Sequence, residues 1–446
     1  MARAAFEGMT VVLGLGATGL SVARFLAARG EPFCLADTRP APPGLAAARA
    51  AFPEVAVVAG PLGEVDLTRA RQVVASPGVP WDHPALAAAR EAGVPVLGDL
   101  ALFLAEADAP VVAITGTNGK STVTTLVGQM AAAAGRAVGV GGNLGPPALD
   151  LLAPGRDLYV LEVSSFQLEY LERPAAQLAV LLNFASDHLD RHGSEAAYLA
   201  AKRRVFAGAR GAVVNRDDPH SQPPREVPVA WTFGLDRPPA RGFGLVARDG
   251  GEWLACEGEA LLPAESLLVR GRHNLANALA ALAIGRALEL PMAAMLEALA
   301  RFPGLPHRCQ TVALRGGVAW IDDSKATNEA AAVAAVEGLA GKEPDLVLLA
   351  GGMAKGQSFA RLAAACAGKV RHALLFGADA DRLAAALAGA VAVERVADLA
   401  AAVARAAELA RPGDKVLLAP ACASHDQFAD YAARGRAFAA AVEGLS

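Results

Sequence analysis

Residues 116–121, Gly-Thr-Asn-Gly-Lys-Ser, set a lysine and a hydroxyl directly behind two glycines. The apolar stretch 110–115 reads as a strand entering this turn, and "STVTTLVGQMAAAA" reads as a helix leaving it, stopped by Gly135. In such a junction the backbone N–H groups and the positive helix end converge on one point, which suits phosphate. Gly116, Thr117, Asn118 and Gly119 would form the cradle. Lys120 would reach the β and γ oxygens, and the Ser121 hydroxyl is placed to ligate Mg²⁺. The spacing departs from the usual G-x-x-x-x-G-K-[S/T]. Only Thr117 and Asn118 separate the glycines, and Ile114 stands where a first glycine is expected. A glycine-rich turn that merely precedes a lysine is the plain alternative.

Other polar residues cluster at strand ends, where open α/β sheets collect ligands. Glu162 closes the strand-like "LYVLEVSS" and is a hard oxygen ligand suited to Mg²⁺, or equally a salt-bridge partner. The segment 183–194, "NFASDHLDRHGS", gathers Asp187, His188, Asp190 and His192, although a surface loop can have the same composition. "WIDDSKATN" (320–328) places Asp323, Lys325 and Thr327 behind another strand. Near the N-terminus, "GLGATG" is a literal G-x-G-x-x-G, with Asp37 ending the next strand, the fingerprint of dinucleotide binding. A NAD-dependent dehydrogenase is therefore a rival reading, but nothing later in the chain supplies a hydride-transfer site.

The elements that must position these residues alternate between short apolar strands and alanine-rich helices, which is the rhythm of parallel sheets with helical crossovers. The chain of 446 residues has room for several domains. We expect three α/β domains: a Rossmann-like unit at 1–98, a central P-loop-type unit with a parallel sheet at 99–304, and a second Rossmann-like unit at 305–446. The Pro/Gly-rich 301–308 marks a joint. A net charge of −4, spread along the chain, gives no basic face for nucleic acid. No uncharged run is long enough for a membrane helix, and no export signal is evident. Cys34, Cys256, Cys309, Cys366 and Cys422 are odd in number and far apart, so free thiols in a reducing cytoplasm are expected, without a zinc site.

"TGTNGKST" resembles the shortened nucleotide loop of the Mur ligases and their relatives, ATP-dependent amide-forming enzymes that include folylpolyglutamate synthetase. The resemblance implies ATP on residues 116–122 (Thr122 included), with Asn274 and Asn277 of "GRHNLANALAA" on the adenine side. It implies two Mg²⁺ sites and makes His188, in "D-H-x-D-R", a metal ligand. It also matches Lys202 of "YLAAKRRVF" to a lysine that takes up CO₂ as a carbamate; without the resemblance Lys202 would be read as a solvated helix lysine. An ammonium would repel the metal, whereas a carbamate supplies anionic oxygens. "GLGATGLS" and "DTR" resemble the UDP-binding domain of the D-glutamate-adding branch. Ala17 and Thr18 would then face a diphosphate, and Asp37, Thr38 and Arg39 the uracil. Ser76, Pro77, Gly78 and Asn143 would make further contacts to the nucleotide-sugar.

"DDSKATN" and "APACASHDQF" (419–428) resemble the same branch. That implies Lys325, Thr327, Lys355 and Ser424 around the two glutamate carboxylates, with Tyr431 nearby, and Arg308 and Asp323 closing over ATP together with His307. A dianionic amino acid needs such a pocket of cations and hydroxyls. In one departure, the family's "GGDGK" reads "GGMAK" at 351–355, and Tyr431 stands where phenylalanine is expected. The reaction implied is ATP-dependent joining of D-glutamate to UDP-N-acetylmuramoyl-L-alanine through an acyl phosphate, with Lys120, His188, Lys202 and Lys325 as the catalytic set. A cytoplasmic monomer is expected. A folate-type ligase would leave the N-terminal motifs without a role, and a non-catalytic nucleotide sensor would bind ATP without consuming it.

Overall fold

The computed structural model describes residues 6–61, 66–269, 271–341 and 343–445. It contains three sheets, taken up in turn along the chain. The first has five parallel strands in the order Val57–Ala59, Phe33–Asp37, Thr10–Leu13, Gln72–Ala75, Val96–Leu97. Val11, Val12 and Leu13 are fully buried, as expected for a strand covered by helices on both faces. Thr10–Leu13 pairs with its neighbours on either side, so the strand order reverses there. Its C-terminal end opens into the glycine turn.

The central sheet has nine strands, and Val111–Thr115 lies between Leu178–Leu181 and Leu158–Glu162. The register sets Ile114 beside Glu162 and Thr115 beside Leu181. Glu162, the phosphate loop and the segment from Asn183 onward therefore leave one edge together. The sheet is not parallel throughout, as the sequence reading expected. Gly242–Arg248, Gly251–Cys256 and Glu259–Pro263 run antiparallel. Their turns, Asp249–Gly250 and Glu257–Gly258, hold both residues at positive φ, the backbone of two-residue hairpins. The third sheet has six strands, parallel apart from the edge pair Gln310–Arg315 and Val318–Asp322.

The cores differ in how they connect. One buried cluster runs from Val12, Leu26 and Phe103 into Leu161, Leu181 and Val214, so the first two units share apolar packing. The buried residues of the two clusters under the third sheet all lie between Val318 and Val442. The helix Glu329–Leu339 meets the helix Arg272–Ala287 of the central unit, and polar side chains also span the gap. Arg308 donates to Ser121 Oγ at 2.8 Å, Asn328 to Asp187 at 3.0 Å, and Lys355 lies 3.6 Å from Asp187.

Candidate active site

The phosphate loop has the backbone its sequence requires. Gly119 sits at φ 82°, just before the helix Lys120–Ala133, and a Cβ there would come within 2.3 Å of Asn277 Oδ1. Any side chain would displace the asparagine or the loop. Lys120 folds back so that Nζ donates to the Gly116 and Thr117 carbonyls, both at 2.9 Å. Asn183 holds the loop from the neighbouring strand end. It accepts from Asn118 N–H at 2.9 Å and returns a bond to the Asn118 carbonyl at 3.0 Å.

Around this loop the structure brings Lys120, Ser121, Glu162, His188, Lys202, Arg308, Lys325 and Thr327 into one cleft of about 230 Å³, with Asp187 and Asn328 in its wall. Burial raises the Glu162 carboxyl, but Lys120 and hydrogen bonds from Ser121 and Asn143 outweigh it and hold Glu162 below the ordinary value. Glu162 Oε1 takes the Asn143 bond at 2.6 Å, while the buried Oε2 has no partner. An orphaned carboxylate oxygen beside a hydroxyl fits a hard cation, so Ser121 and Glu162 could hold Mg²⁺.

His188 lies beyond the loop, at φ 52°. Burial pushes its imidazole down to about 4, leaving a neutral ring able to coordinate a metal. Lys202 corrects the solvated-lysine alternative, because it is 1% exposed. Its Nζ donates to the Gly116 carbonyl at 2.7 Å and lies 4.5 Å above the Tyr198 ring. Burial first, then Lys120, pushes the ammonium well down, toward the neutral amine that reacts with CO₂. As an amine Lys202 offers Mg²⁺ only a single nitrogen, a poor match for a cation that prefers oxygen; the carbamate supplies the oxygens that fit. Within 183–194, Asp187 joins the cleft while Asp190 is exposed. His192 instead bonds Ser165 Oγ at 3.0 Å and pairs with Glu169 at 3.2 Å.

Two further clefts open from the first. One, of about 290 Å³, is lined by Asn118, Gly119, Thr122, Asn274, Asn277, Arg308, Asp323 and Lys325. Here burial pushes the Asp323 carboxyl up to about 7, and burial with Arg308 and Lys120 pushes Lys325 down to about 7. The other, of about 630 Å³, lies on the N-terminal sheet and takes in Ala17, Thr18, Asp37, Thr38, Arg39, Ser76, Pro77, Gly78 and Asn143. In it, Asp37 is occupied within the protein. It accepts from Leu15 N–H at 2.7 Å and from the Arg39 backbone and guanidinium at 2.8–2.9 Å. A carboxylate so engaged anchors Arg39 and the turn, and does not offer the free acid that a ribose would take. Asn143, Ser164 and Phe166 line both this cleft and the central one.

Lys355, Ser424 and Tyr431 approach from the third sheet. Met353 and Ala423 exchange backbone bonds at 2.9 Å, which sets the Lys355 loop beside the Ser424 loop. Lys325 Nζ lies 3.8 Å above the Tyr431 ring, a cation–π contact that phenylalanine would also give. Sequence reasoning missed the residue that gathers these loops. Arg434, fully buried, donates to Ser324 Oγ and the carbonyls of Ser324, Gly351 and Cys422 at 2.9–3.2 Å. A single arginine in the helix Tyr431–Glu443 carries no signal of that role. Asp187 had a signal, as the residue before His188, but not its partners.

Comparison with known proteins covers the whole chain. Residues 8–98 match the Mur ligase MurD-like N-terminal domain, 114–285 the Mur ligase middle domain, and 307–422 the Mur ligase glutamate ligase domain. A UDP-N-acetylmuramoylalanine–D-glutamate ligase of Pseudomonas aeruginosa is 53% identical over the full length of both chains. That of Chromohalobacter salexigens is 51% identical over 96% of each. Among solved structures, the UDP-N-acetylmuramate-alanine ligase of Thermotoga maritima superposes with a TM-score of 0.61 at 19% identity, covering 98% of this chain and 99% of its own. The FolC protein of E. coli, solved with ADP, covers 76% of this chain and 90% of its own, with a TM-score of 0.57 at 20% identity. The three-domain α/β fold is thus shared with the first and about three quarters of it with the second, and on the full-length identity this chain belongs to the Mur ligase family.

Proposed function

We propose that the protein is an ATP-dependent ligase that joins D-glutamate to UDP-N-acetylmuramoyl-L-alanine, a step in making peptidoglycan precursors. One observation carries this reading. The cleft suited to a nucleotide-sugar and the cleft suited to ATP both open into the cleft that holds Lys120, Glu162, His188 and Lys202. Asn143 links one pair, and Arg308 and Lys325 the other. A carboxylate arriving from the N-terminal side therefore meets a γ-phosphate arriving from the other.

In the reaction an L-alanyl carboxylate oxygen attacks the γ-phosphorus, the bond to the β-γ bridging oxygen breaks, and ADP leaves behind an acyl phosphate. The D-glutamate amine then attacks the acyl carbon, loses a proton and expels phosphate. Lys120 and Arg308 supply positive charge where it develops on the transferred group, the largest contribution expected of a phosphoryl-transfer site. Ser121 with Glu162, and His188 with carbamylated Lys202, would hold Mg²⁺, which when bound neutralises phosphate oxygens. Thr327, Lys355 and Ser424 would receive the glutamate carboxylates. The segment 301–308 would act as the hinge of a monomeric, cytoplasmic enzyme.

The decisive assay measures ADP release with UDP-N-acetylmuramoyl-L-alanine and ATP, offering D-glutamate, L-glutamate, L-lysine or meso-diaminopimelate. Turnover with D-glutamate alone is expected. Turnover with another amino acid would keep the ligase and discard the substrate, and no turnover with any would discard both.

A further inference from the structure

Asn328 has no role in the account above, yet its amide is fully engaged. Oδ1 accepts from Ala331 N–H at 2.9 Å and caps the helix Glu329–Leu339. Nδ2 donates to Asp187 Oδ2 at 3.0 Å and reaches Asn118 Oδ1 at 3.3 Å. Asn118 belongs to the phosphate loop and Asp187 adjoins His188, whereas Asn328 belongs to the third sheet's unit. Asp187 is 5% exposed and Asn328 3%, so the bond between them is shielded from water.

The choice of residue is informative. Serine, threonine, aspartate and asparagine all cap helices well. Asparagine alone among them pairs an acceptor for the cap N–H with a separate amide donor that reaches farther; a serine or threonine hydroxyl would have to do both through one oxygen held closer to its own backbone. Capping alone does not select it; the contact with Asp187 does. Asp187 needs that donor because it is buried: the His188 N–H serves Oδ1 at 2.8 Å, and the Asn328 amide serves Oδ2. Apolar packing is continuous between the first two units; the third meets the second where the helix Glu329–Leu339 lies against the helix Arg272–Ala287, and polar contacts such as this one add to that approach.

We propose that Asn328 is the positioning residue that registers the amino-acid-binding unit on the phosphate loop. It holds Asp187 and Asn118 at fixed places relative to Lys355. The proposal rests on the ligase reading for its kinetic effect but not for its geometry. Asn328→Asp keeps an excellent cap while setting a carboxylate against Asp187, and Asn328→Ser keeps the cap but is too short to reach across.

The test compares both variants and Asn328→Ala with the wild type. Asn328→Asp should melt as the wild type does, yet raise the KM for D-glutamate about 10- to 100-fold, because the binding-competent arrangement becomes a minor fraction. Asn328→Ser should fall between. With Mg·ADP and UDP-N-acetylmuramoyl-L-alanine, small-angle scattering should give Asn328→Asp a larger radius of gyration than the wild type. A wild-type KM together with wild-type scattering in Asn328→Asp overturns the proposal. So does a KM raised in Asn328→Ala but unchanged in Asn328→Asp and Asn328→Ser, both of which keep the cap, since that would leave capping as the whole role. If the wild type turns over no amino acid, the ligase reading fails, and the scattering comparison alone decides the fate of Asn328.

Discussion

The chain uses the same backbone device twice. At Leu13–Ala17 and again at Thr115–Lys120 a strand ends in a glycine turn and a helix leaves it. In the first turn, a Cβ on Gly19 would sit 1.8 Å from the Gly14 carbonyl, so helix and strand touch as closely as two backbones can. What differs is the charge around the two turns. Among the described residues that line the first, the one cation is Arg39, already paired with Asp37. Around the second, Lys120, Lys325 and Arg308 crowd one cleft with a single unsatisfied carboxylate oxygen among the described residues. Backbone donors with a neutralised wall are enough to hold a diphosphate that must stay intact. Moving a phosphoryl group needs fixed positive charge poised where negative charge will develop. Under the proposed function, this difference gives binding to one turn and chemistry to the other.

Lys120→Ala tests the chemical turn most severely. It should lower kcat by at least about 100-fold while the KM for the nucleotide-sugar stays near that of the wild type, as expected for a group acting in the transition state. Near-normal turnover would reduce this loop to a mere binding turn. Lys202→Ala should cost at least about tenfold, the scale of losing a group that orients a metal site. Short carboxylic acids should restore part of that, by placing an anion where the carbamate belonged. Failure of rescue, with an unmodified lysine by mass, removes carbamylation from the account.

At the first turn, Arg39→Ala should raise the KM for the UDP substrate about tenfold and change kcat by less than about twofold, the pattern of uniform binding. A comparable fall in kcat would mean that the N-terminal cleft does more than hold its ligand.

Legibility in the sequence follows the range over which each feature is determined. The two turns, the strand-end Glu162 and the α/β alternation are local patterns, and all stand where the sequence reading put them. His188, Lys202 and Ser424 gained meaning only through family resemblance, since nothing nearby marks them out; a lysine in "YLAAKRRVF" looks solvated until Gly116, 86 residues away, is found to accept its hydrogen bond. Asn328 and Arg434 were illegible for the same reason, carried further. Their partners Asp187 and Ser324 lie 141 and 110 residues away, and no periodicity encodes such pairings. The central hairpins were legible in Asp-Gly and Glu-Gly turns but lay in a region read for its parallel strands.

The last effect is on stability and concerns the joint between the two turns. Asp99 opens the helix Asp99–Glu106 and is 2% exposed, with Oδ1 lacking any partner. Burial pushes its carboxyl up to about 6 despite hydrogen bonds from Leu100, its own backbone N–H and Gln167. Gln167 in turn closes the capping box on Ser164, which lines both the nucleotide-sugar cleft and the central cleft. Because the folded value lies above the unfolded one, the native state holds the proton more tightly. The penalty for ionising Asp99 is therefore absent below about pH 4, grows through the interval to pH 6, and is complete above it. A shift of this size corresponds to about 3 kcal/mol. Asp99→Asn should accordingly raise the unfolding midpoint at pH 7.5, with the gain shrinking steadily as the pH is lowered to 5. A gain independent of pH would trace the change to packing, and a loss at neutral pH would show that the ionised carboxylate ties the two turns together.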